Sequence, residues 1–502
     1  MVVTCGQMQD AEQAAIERGA SEEALMEKAG AGIHEVVRQF APSPGTAVLY
    51  LGKGHNAGDA MVLARHLLDA GWQLCARLAF DVAEFKELPA KHWQTIVDRV
   101  NVLPDPSSIL QTRGDVLLVD GLMGLGASAA PVRGVMAELI REINTVRRAR
   151  HATTLAIDLP SGLNPLTGSP GDACVEADLT ATIGLAKSVL LADAATRHVG
   201  RLAIVPLPEI TVAQSDLNVR VLTSNALLSA LPSRSFDFHK GQAGRVGLIA
   251  GSRGFAGAAV LASTGALRAG AGLVTLYVKE DAYNAVATQA RAEVMVKLVR
   301  DYREVFRDTM DALAIGPGLG LEHEDEILAV IARADVPTVL DADALNMLAR
   351  RGFDCLKKNQ APRLLTPHPG EMARLAERYP EWARLSRSEQ ATDFATKFPH
   401  ATLLLKGART VIAAAARPLS FNTTGNPGMG TGGLGDVLTG VCAAFAGQGV
   451  ALYDAACLGA WLSGRAAERA VIFGGHSTES LTAGDVADGF GNALADLKRL
   501  VL

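Results

Sequence analysis

AVLYLGKGHNAGDAMVLARHLLDAG, residues 47 to 71, decides the fold. An aliphatic run ends at two spaced glycines, and a stretch with helical apolar spacing begins at once. That is a strand, a tight turn and a helix, the unit from which parallel α/β sheets are built. The spacing Gly52-x-Gly54-x-x-Ala57 matches the relaxed dinucleotide-binding fingerprint. Glycine lets the backbone approach phosphate, and the helix N-terminus beyond it supplies unpaired N–H groups and a favourable dipole. Asp81 falls at the end of the next strand, where a ribose-binding acid sits in a Rossmann unit. Taken alone, the segment reads equally as a structural turn with Asp59 capping the helix.

The same alternation continues in both directions. In the first half strands are expected at 47–51, 74–80, 116–119, 154–157, 177–183 and 202–205, with helices at 10–18, 21–40, 59–70 and 134–148. Val205-Pro206-Leu207-Pro208 and the polar run from Gln214 to Asn218 break the pattern, which places a domain boundary near 215/216. The alternation restarts with strands at 245–250, 272–278, 312–315, 338–340, 363–365, 402–405 and 410–413. Two α/β domains, 1–215 and 216–502, account for the 502 residues.

Composition narrows the function. Hydrophobic residues make up 49% and aromatics only 5%, so the cores are packed with Ala, Val, Leu and Gly. A net charge of −5 gives no positive field to hold a polyanion, which argues against nucleic acid as partner. Six cysteines without a CxxC pair fit reduced thiols in a cytosolic protein and support neither zinc nor disulfides. The acidic N-terminus lacks a signal-peptide core, and the longest apolar run, 437–453, is broken by Gly440, Gly447 and Gly449 and reads as a buried helix and turn. A cytoplasmic protein without a membrane span is expected.

Two more strand ends raise the functional reading of the first half. VLLVDGLMGLGASAAPVRG sets Asp120 after one strand, and LAIDLPSGLNPLTG sets Asp158 after another. Ligands of open α/β sheets bind at the carboxyl ends of strands, so three such junctions converge on one crevice. In the second half the richest junction is NPGMGTGGLGDVLTGVCAAF, Asn426 to Phe445. No Lys-Ser/Thr follows its glycines, so it is not a Walker A loop; it is an anion nest leading into an apolar helix. Asp436 beside that nest is costly for phosphate binding, and the task that fits it is general base toward an attacking hydroxyl, the alternative being a helix N-cap. Asp341 and Asp343 are weighed as magnesium ligands, with Asp343 better read as the cap of a helix over 344–350. His368 is read as a substrate contact, Glu371 as structural, and Lys406 as a cation at the end of a strand facing phosphate.

These motifs carry a family resemblance. LMEKAG (25–30), GKGHNAGD (52–59), DGLMGLG (120–126) and DLPSGLNPLTG (158–168) resemble the epimerase domain of the NAD(P)H-hydrate repair enzymes. HKG, AGA, GPGLG, DADALN, TPHPGE, KGAxT and GTGGxGD, in that order over about 222–500, resemble their dehydratase domain, which has a ribokinase-like fold. The resemblance implies a Rossmann-like three-layer N-terminal domain. It implies a potassium ion on Asn56, Asp120 and Ser161, with catalysis by Asp120 and Asp158. It implies hydrated-nucleotide contacts at His55, Asn56, Ala57, Gly58, Asp59, Gly124, Leu125, Gly126, Ala127, Ser128, Ala129, Ala130 and Asp158. In the second domain it implies substrate contacts at Ala258, Gly318, Gly320, His368 and Asp436, and adenine-nucleotide contacts at Lys406, Gly407, Ala408, Arg409, Thr410 and Gly435. Magnesium and ADP would serve the dehydratase, hydrated NADH and NADPH (NADHX and NADPHX) would be the substrates, and a homo-oligomer is implied. The family usually writes Asn-Asn-Gly-Gly-Asp-Gly where this chain has His55-Asn56-Ala57-Gly58-Asp59-Ala60; a left-handed backbone at Ala57 would cost roughly 1–2 kcal/mol.

Two rivals remain at this level. A vitamin or sugar kinase would use the same glycine nest and aspartate base but leaves the first domain without a task. A nonenzymatic nucleotide sensor is conceivable for residues 1–210 alone.

Overall fold

A computed structural model describes residues 1–126, 129–212, 218–358 and 360–501. Ala127, Ser128 and the boundary expected at 215/216 lie outside the described residues. The described residues up to 212 form one compact unit and Asn218–Val501 a second.

The first unit is a seven-stranded sheet, parallel throughout, in the order Val100–Val102, Gln73–Leu78, Thr46–Leu51, Val116–Gly121, Thr153–Ile157, Leu179–Ile183, Arg201–Val205. Its two central strands, Thr46–Leu51 and Val116–Gly121, are buried along their whole length, which is why they read as unbroken apolar runs. Separate apolar clusters cover the two faces, one built on helices Glu22–Phe40 and His55–Asp69, the other on Gly134–Arg150. The chain runs outward from Thr46–Leu51 through two strands, then returns to Val116–Gly121 and runs the other way. The order therefore reverses between these neighbours, and their loops are 52–54 and 122–126.

The second unit is a ten-stranded sheet in the order Val219–Val221, Leu419–Asn422, Thr410–Ala413, Ala401–Leu405, Arg363–Leu365, Thr338–Leu340, Ala312–Ile315, Arg245–Ile249, Leu273–Val278, Val294–Leu298. It is parallel except where Thr410–Ala413 pairs antiparallel with both neighbours. Here too the order reverses at adjacent strands, Arg245–Ile249 and Ala312–Ile315, and Gly251 N–H donates to Pro317 O to tie the two following loops together. Helices Ala256–Arg268 and Leu434–Gly447 pack backbone to backbone: a Cβ at Gly440 would collide with Ala262 O, and one at Gly265 with Val437 O. The fold class read from the sequence, α/β in two domains, is the one seen.

The sequence reading missed strands at the sheet edges. Val100–Val102, Val219–Val221 and Val294–Leu298 are short and partly exposed, so they carry no continuous apolar signal. It also began the first helix late, at Asp10 rather than Cys5. The signal lay in polar residues: Thr4 accepts from Gln7 N while Gln7 caps Thr4 N in return.

Candidate functional site

In the first unit the loop after Thr46–Leu51 enters helix His55–Asp69 directly, with Gly54 as an N-cap that offers no side-chain bond. The helix therefore starts four residues before the expected Asp59, and Asp59 is not its cap. Ala57 has helical backbone and no positive φ, so alanine in place of the family's glycine carries no strain there. Asp81 caps a short 3-10 turn by accepting from Ala83 N.

Asp120, Ser161 and Asn56 come together around Met123. Asp120 is fully buried; it accepts from Ser161 N (2.8 Å), Ser161 Oγ (2.6 Å) and Leu122 N (3.2 Å). Ser161 Oγ in turn accepts from Met123 N at 3.0 Å, and Asn56 Nδ2 donates to Met123 O at 2.8 Å. Burial pushes the Asp120 carboxyl up to about 6, against the pull of its Ser161 bonds, and no described cation pairs with it. A monovalent cation with a preference for hydroxyl, amide and carboxylate oxygen fits this set, because it would neutralise a charge the protein leaves uncompensated.

Asp158 is not a cap either. It sits at φ +63, and its Oδ1 accepts from Lys187 Nζ (2.5 Å), Ile183 N (3.1 Å) and Thr182 Oγ1 (3.2 Å). Lys187 is wholly buried and also donates to Ile183 O and Thr182 Oγ1. The sequence reading missed Lys187. Its signal was plain: it is the one charged residue between Leu179 and Ala192.

His55, Asn56, Asp59, Gly124, Leu125, Gly126 and Asp158 line one cavity of about 580 Å³. Ala57 and Gly58 do not line it; both are buried within helix packing, and a Cβ at Gly58 would meet Met26. Ala129 and Ala130 are exposed, with Ala129 O accepting from Asn164 Nδ2 at 3.5 Å. Gln9, Glu12, Gln13 and Ile16, one face of helix Cys5–Glu17, complete the wall.

In the second unit helix Leu434–Gly447 begins with Gly433 at φ +89 as an uncapped N-cap, so Asp436 is the third helical residue and not the cap. No side chain caps its first-turn amides, as an anion nest requires. Lys406 turns inward rather than toward solvent: Nζ donates to Asp341 Oδ1 at 2.8 Å and lies 3.8 Å from Glu371 Oε2, while Thr439 Oγ1 donates to Asp341 Oδ2 at 2.8 Å. A Cβ at Gly435 would lie 3.1 Å from that ammonium, so glycine there leaves Lys406 its place beside the helix terminus. Burial would lower Lys406, but Asp341 and Glu371 together raise it. Burial first, then Asp341, raises Asp436 to about 7, with Lys406 pulling the other way.

The loops following Arg245–Ile249 and Ala312–Ile315 touch. Gly318, at φ +61, would drive a Cβ into Ala258, and Ser252 Oγ donates to Gly318 O at 2.8 Å. Gly320 N donates to Asp343 Oδ2 at 2.8 Å; Asp343 is the first residue of helix Asp343–Arg351, with Ala342 before it as N-cap, so the expected cap is corrected. His368 does cap a helix: Nδ1 accepts from Gly370 N and Glu371 N, while Glu371 bonds back to His368 N. That bond makes Nδ1 the acceptor and Nε2 the donor of a half-exposed ring, which suits a substrate contact. Glu371 holds the cap and also faces Lys406. Arg409 is 3% exposed, so it offers a nucleotide only its backbone. Among the described residues no group of three or more His, Cys, Asp or Glu is placed to hold a metal ion. Both Asp341 oxygens are engaged, by Lys406 and Thr439, and Asp343 Oδ2 by Gly320 N, so among the described residues this pair forms no magnesium cage.

No described helix is long and apolar enough to cross a membrane, and all six cysteines are free.

Comparison with known proteins agrees over both units. A family described as YjeF-related protein N-terminus matches residues 22–189, and one described as NAD(P)H-hydrate dehydratase matches 246–485. A bifunctional NAD(P)H-hydrate repair enzyme of Moorella thermoacetica is 37% identical, covering 95% of this chain and 93% of its own length. One of Coxiella burnetii is 32% identical over 93% and 94%. A Bacillus subtilis ADP/ATP-dependent NAD(P)H-hydrate dehydratase co-crystallised with ATP and Mg2+ is 30% identical, with a TM-score of 0.49 over 57% of this chain and all of that one. With these full-length relatives 32–37% identical along more than nine-tenths of both chains, the chain belongs to the bifunctional NAD(P)H-hydrate repair enzymes.

Proposed function

We propose that this chain repairs hydrated NADH and NADPH: the first unit interconverts the R and S epimers at C6, and the second dehydrates the S epimer with ADP, releasing AMP and phosphate. The observation that carries the reading is Asp436, whose carboxyl is held at about 7 within the first turn of an uncapped, glycine-lined helix. A base is most effective when its pKa lies near the working pH.

Hydration leaves a hydroxyl at C6, a poor leaving group. Asp436 takes the hydroxyl proton as the oxygen attacks the terminal phosphorus of ADP. The amides at the helix N-terminus absorb charge on the transferring group, and the Lys406–Asp341–Thr439 network fixes the charge beside them. Phosphate then leaves with its C6–O electron pair, C5 loses a proton, and the C5=C6 bond of the reduced nicotinamide is restored. Ala258, Gly318, Gly320 and His368 hold the substrate; the backbone from Lys406 to Thr410 and Gly435 holds the adenine nucleotide. Magnesium, when bound beside the nucleotide phosphates, would supply positive charge to the transferring group.

In the first unit Asn56, Asp120 and Ser161 would hold potassium, and the amide, carboxylate and hydroxyl oxygens these side chains carry support this assignment. When bound it supplies a fixed positive charge that neutralises the buried Asp120. Asp158, fixed by Lys187, faces the substrate cavity. The protein acts in the cytoplasm as a homo-oligomer.

The test is direct. Incubation with mixed NADHX epimers and ADP restores the near-ultraviolet absorbance of NADH, with one AMP formed per NADH. No recovery, together with nucleotide consumption on a hydroxymethylpyrimidine or sugar, supports the kinase reading instead.

A further inference from the structure

The cavity of the first unit contains more acid than the proposed mechanism uses. Glu12, Asp59 and Asp158 all line it, from three different elements: helix Cys5–Glu17, helix His55–Asp69 and the loop after Thr153–Ile157. The wholly buried Lys187 is committed to Asp158 at 2.5 Å. The carboxyl of Asp59, a residue 9% exposed, faces the cavity with no side-chain hydrogen bond or ion pair to any described residue, and the carboxyl of the half-buried Glu12 makes none either. Two carboxyls thus stand at one cavity without partners, and Asp59 is a buried polar group of the kind that ordinarily finds one.

We infer that Glu12 is the residue that exchanges a proton with the C6 hydroxyl during epimerisation, with Asp59 as the second carboxyl of the same step. The inference rests on the reading of the first unit as a C6 epimerase. The step balances as follows. The Glu12 carboxyl gives its proton to the C6 hydroxyl; the C6–O bond breaks and its electron pair leaves with water, while the N1 lone pair forms C6=N1. Water then adds to the opposite face of C6, its electron pair making the new C6–O bond as the C6=N1 pair returns to nitrogen, and its extra proton is taken by a carboxylate. Inversion needs a proton-handling group for each face, and the cavity supplies two from different helices.

Electrostatics agree with the geometry. Asp158 and Lys187 act on Glu12 in opposite directions, Glu12 acts on Asp59, Cys5 lies on the same helix, and Glu22, Lys53, His55 and Lys86 line the same cavity. Burial first, then Asp158, pushes Glu12 up to about 7, and Asp59 is held well above the usual carboxylate range by burial, Asp158 and Glu12. Like charges sharing one cavity cannot all ionise, so a proton is retained at neutral pH.

The test uses the full chain with potassium present, following R-to-S conversion of NADHX by chromatography across pH, with dehydration of pure S epimer by ADP as internal control. Wild type should epimerise with a rate that falls as pH rises through about 7, because the acid form of Glu12 is the donor. Glu12→Gln should slow epimerisation about 100-fold or more and abolish that pH limb, without lowering Tm. Glu12→Asp should keep the limb and part of the rate. Epimerisation by Glu12→Gln within about threefold of wild type, or an unchanged pH limb, overturns the assignment while leaving the epimerase reading intact. A wild type that does not interconvert the epimers overturns both.

Discussion

At the scale of single residues, carboxyl groups of one chemistry take separate tasks from their surroundings. Asp341 is locked by Lys406 and Thr439, whereas Asp436 carries no such pair and titrates near 7. Dehydration should rise with pH through about 7 and level off above it, since the base must be ionised to act. Asp436→Asn should abolish dehydration while titration calorimetry still detects adenine nucleotide; retained turnover removes Asp436 as the base. The same substitution bears on stability. A carboxyl whose native value is raised binds its proton more tightly when folded, so wild type is most favoured below the unfolded value near 4 and loses that contribution as pH rises through about 7. Asparagine does not titrate. The variant should therefore gain thermal stability relative to wild type on going from pH 4 to pH 8, on the order of 1–3 kcal/mol after discounting for the solvent that reaches this carboxyl. Greater stability with lost activity is the expected signature of a site held in an unfavourable charge state for chemistry.

Elements explain which parts of this were legible in the chain. Strands buried on both faces, such as Thr46–Leu51 and Ala312–Ile315, announce themselves as apolar runs, and the glycine junctions that follow them mark the site. Edge strands did not, because partly exposed strands of three to five residues carry no continuous apolar run. Nor did Glu12, which looks like any solvated helix residue until helix Cys5–Glu17 is seen to turn the Gln9–Glu12–Ile16 face to a cavity. Helix starts were misplaced where polar caps or bare glycines set them, as at Thr4 and Gly54. Two elements yield predictions. Gly440→Ala would push a methyl into Ala262 O, separating Leu434–Gly447 from Ala256–Arg268; Tm should fall, with a cost of about 1–3 kcal/mol, and dehydration should weaken because Asp436 rides on that helix. Lys187→Met leaves Asp158 buried without its cation and should cost roughly 3–5 kcal/mol as well as epimerisation. The double change Asp158→Asn with Lys187→Met should recover much of the stability in denaturant melts and none of the epimerisation, which separates the structural share of the pair from the chemical one.

Considered as one chain, the two units have complementary stereochemical tasks. In the proposed mechanism, base and phosphoryl donor are both set by one helix terminus, so the dehydratase would accept its hydroxyl from one direction and consume one epimer of a substrate that arises as a mixture. An epimerase on the same chain supplies the other. The consequence can be read in a single progress curve. With mixed NADHX epimers, ADP and potassium, wild type should restore all of the reduced-nicotinamide absorbance in one phase. Asp158→Ala, which removes the carboxylate held by Lys187 in the first cavity, should restore only the S fraction at the normal rate and leave a slow tail set by spontaneous epimerisation. Chromatography at the break should find R epimer alone. Exchanging potassium for a bulky organic cation should reproduce that break in wild type, because Asn56, Asp120 and Ser161 lie in the first unit and no part of the Asp436 chemistry draws on them. A complete single phase in Asp158→Ala would mean that the second unit takes both epimers, and the need for two sites on one chain would vanish with it.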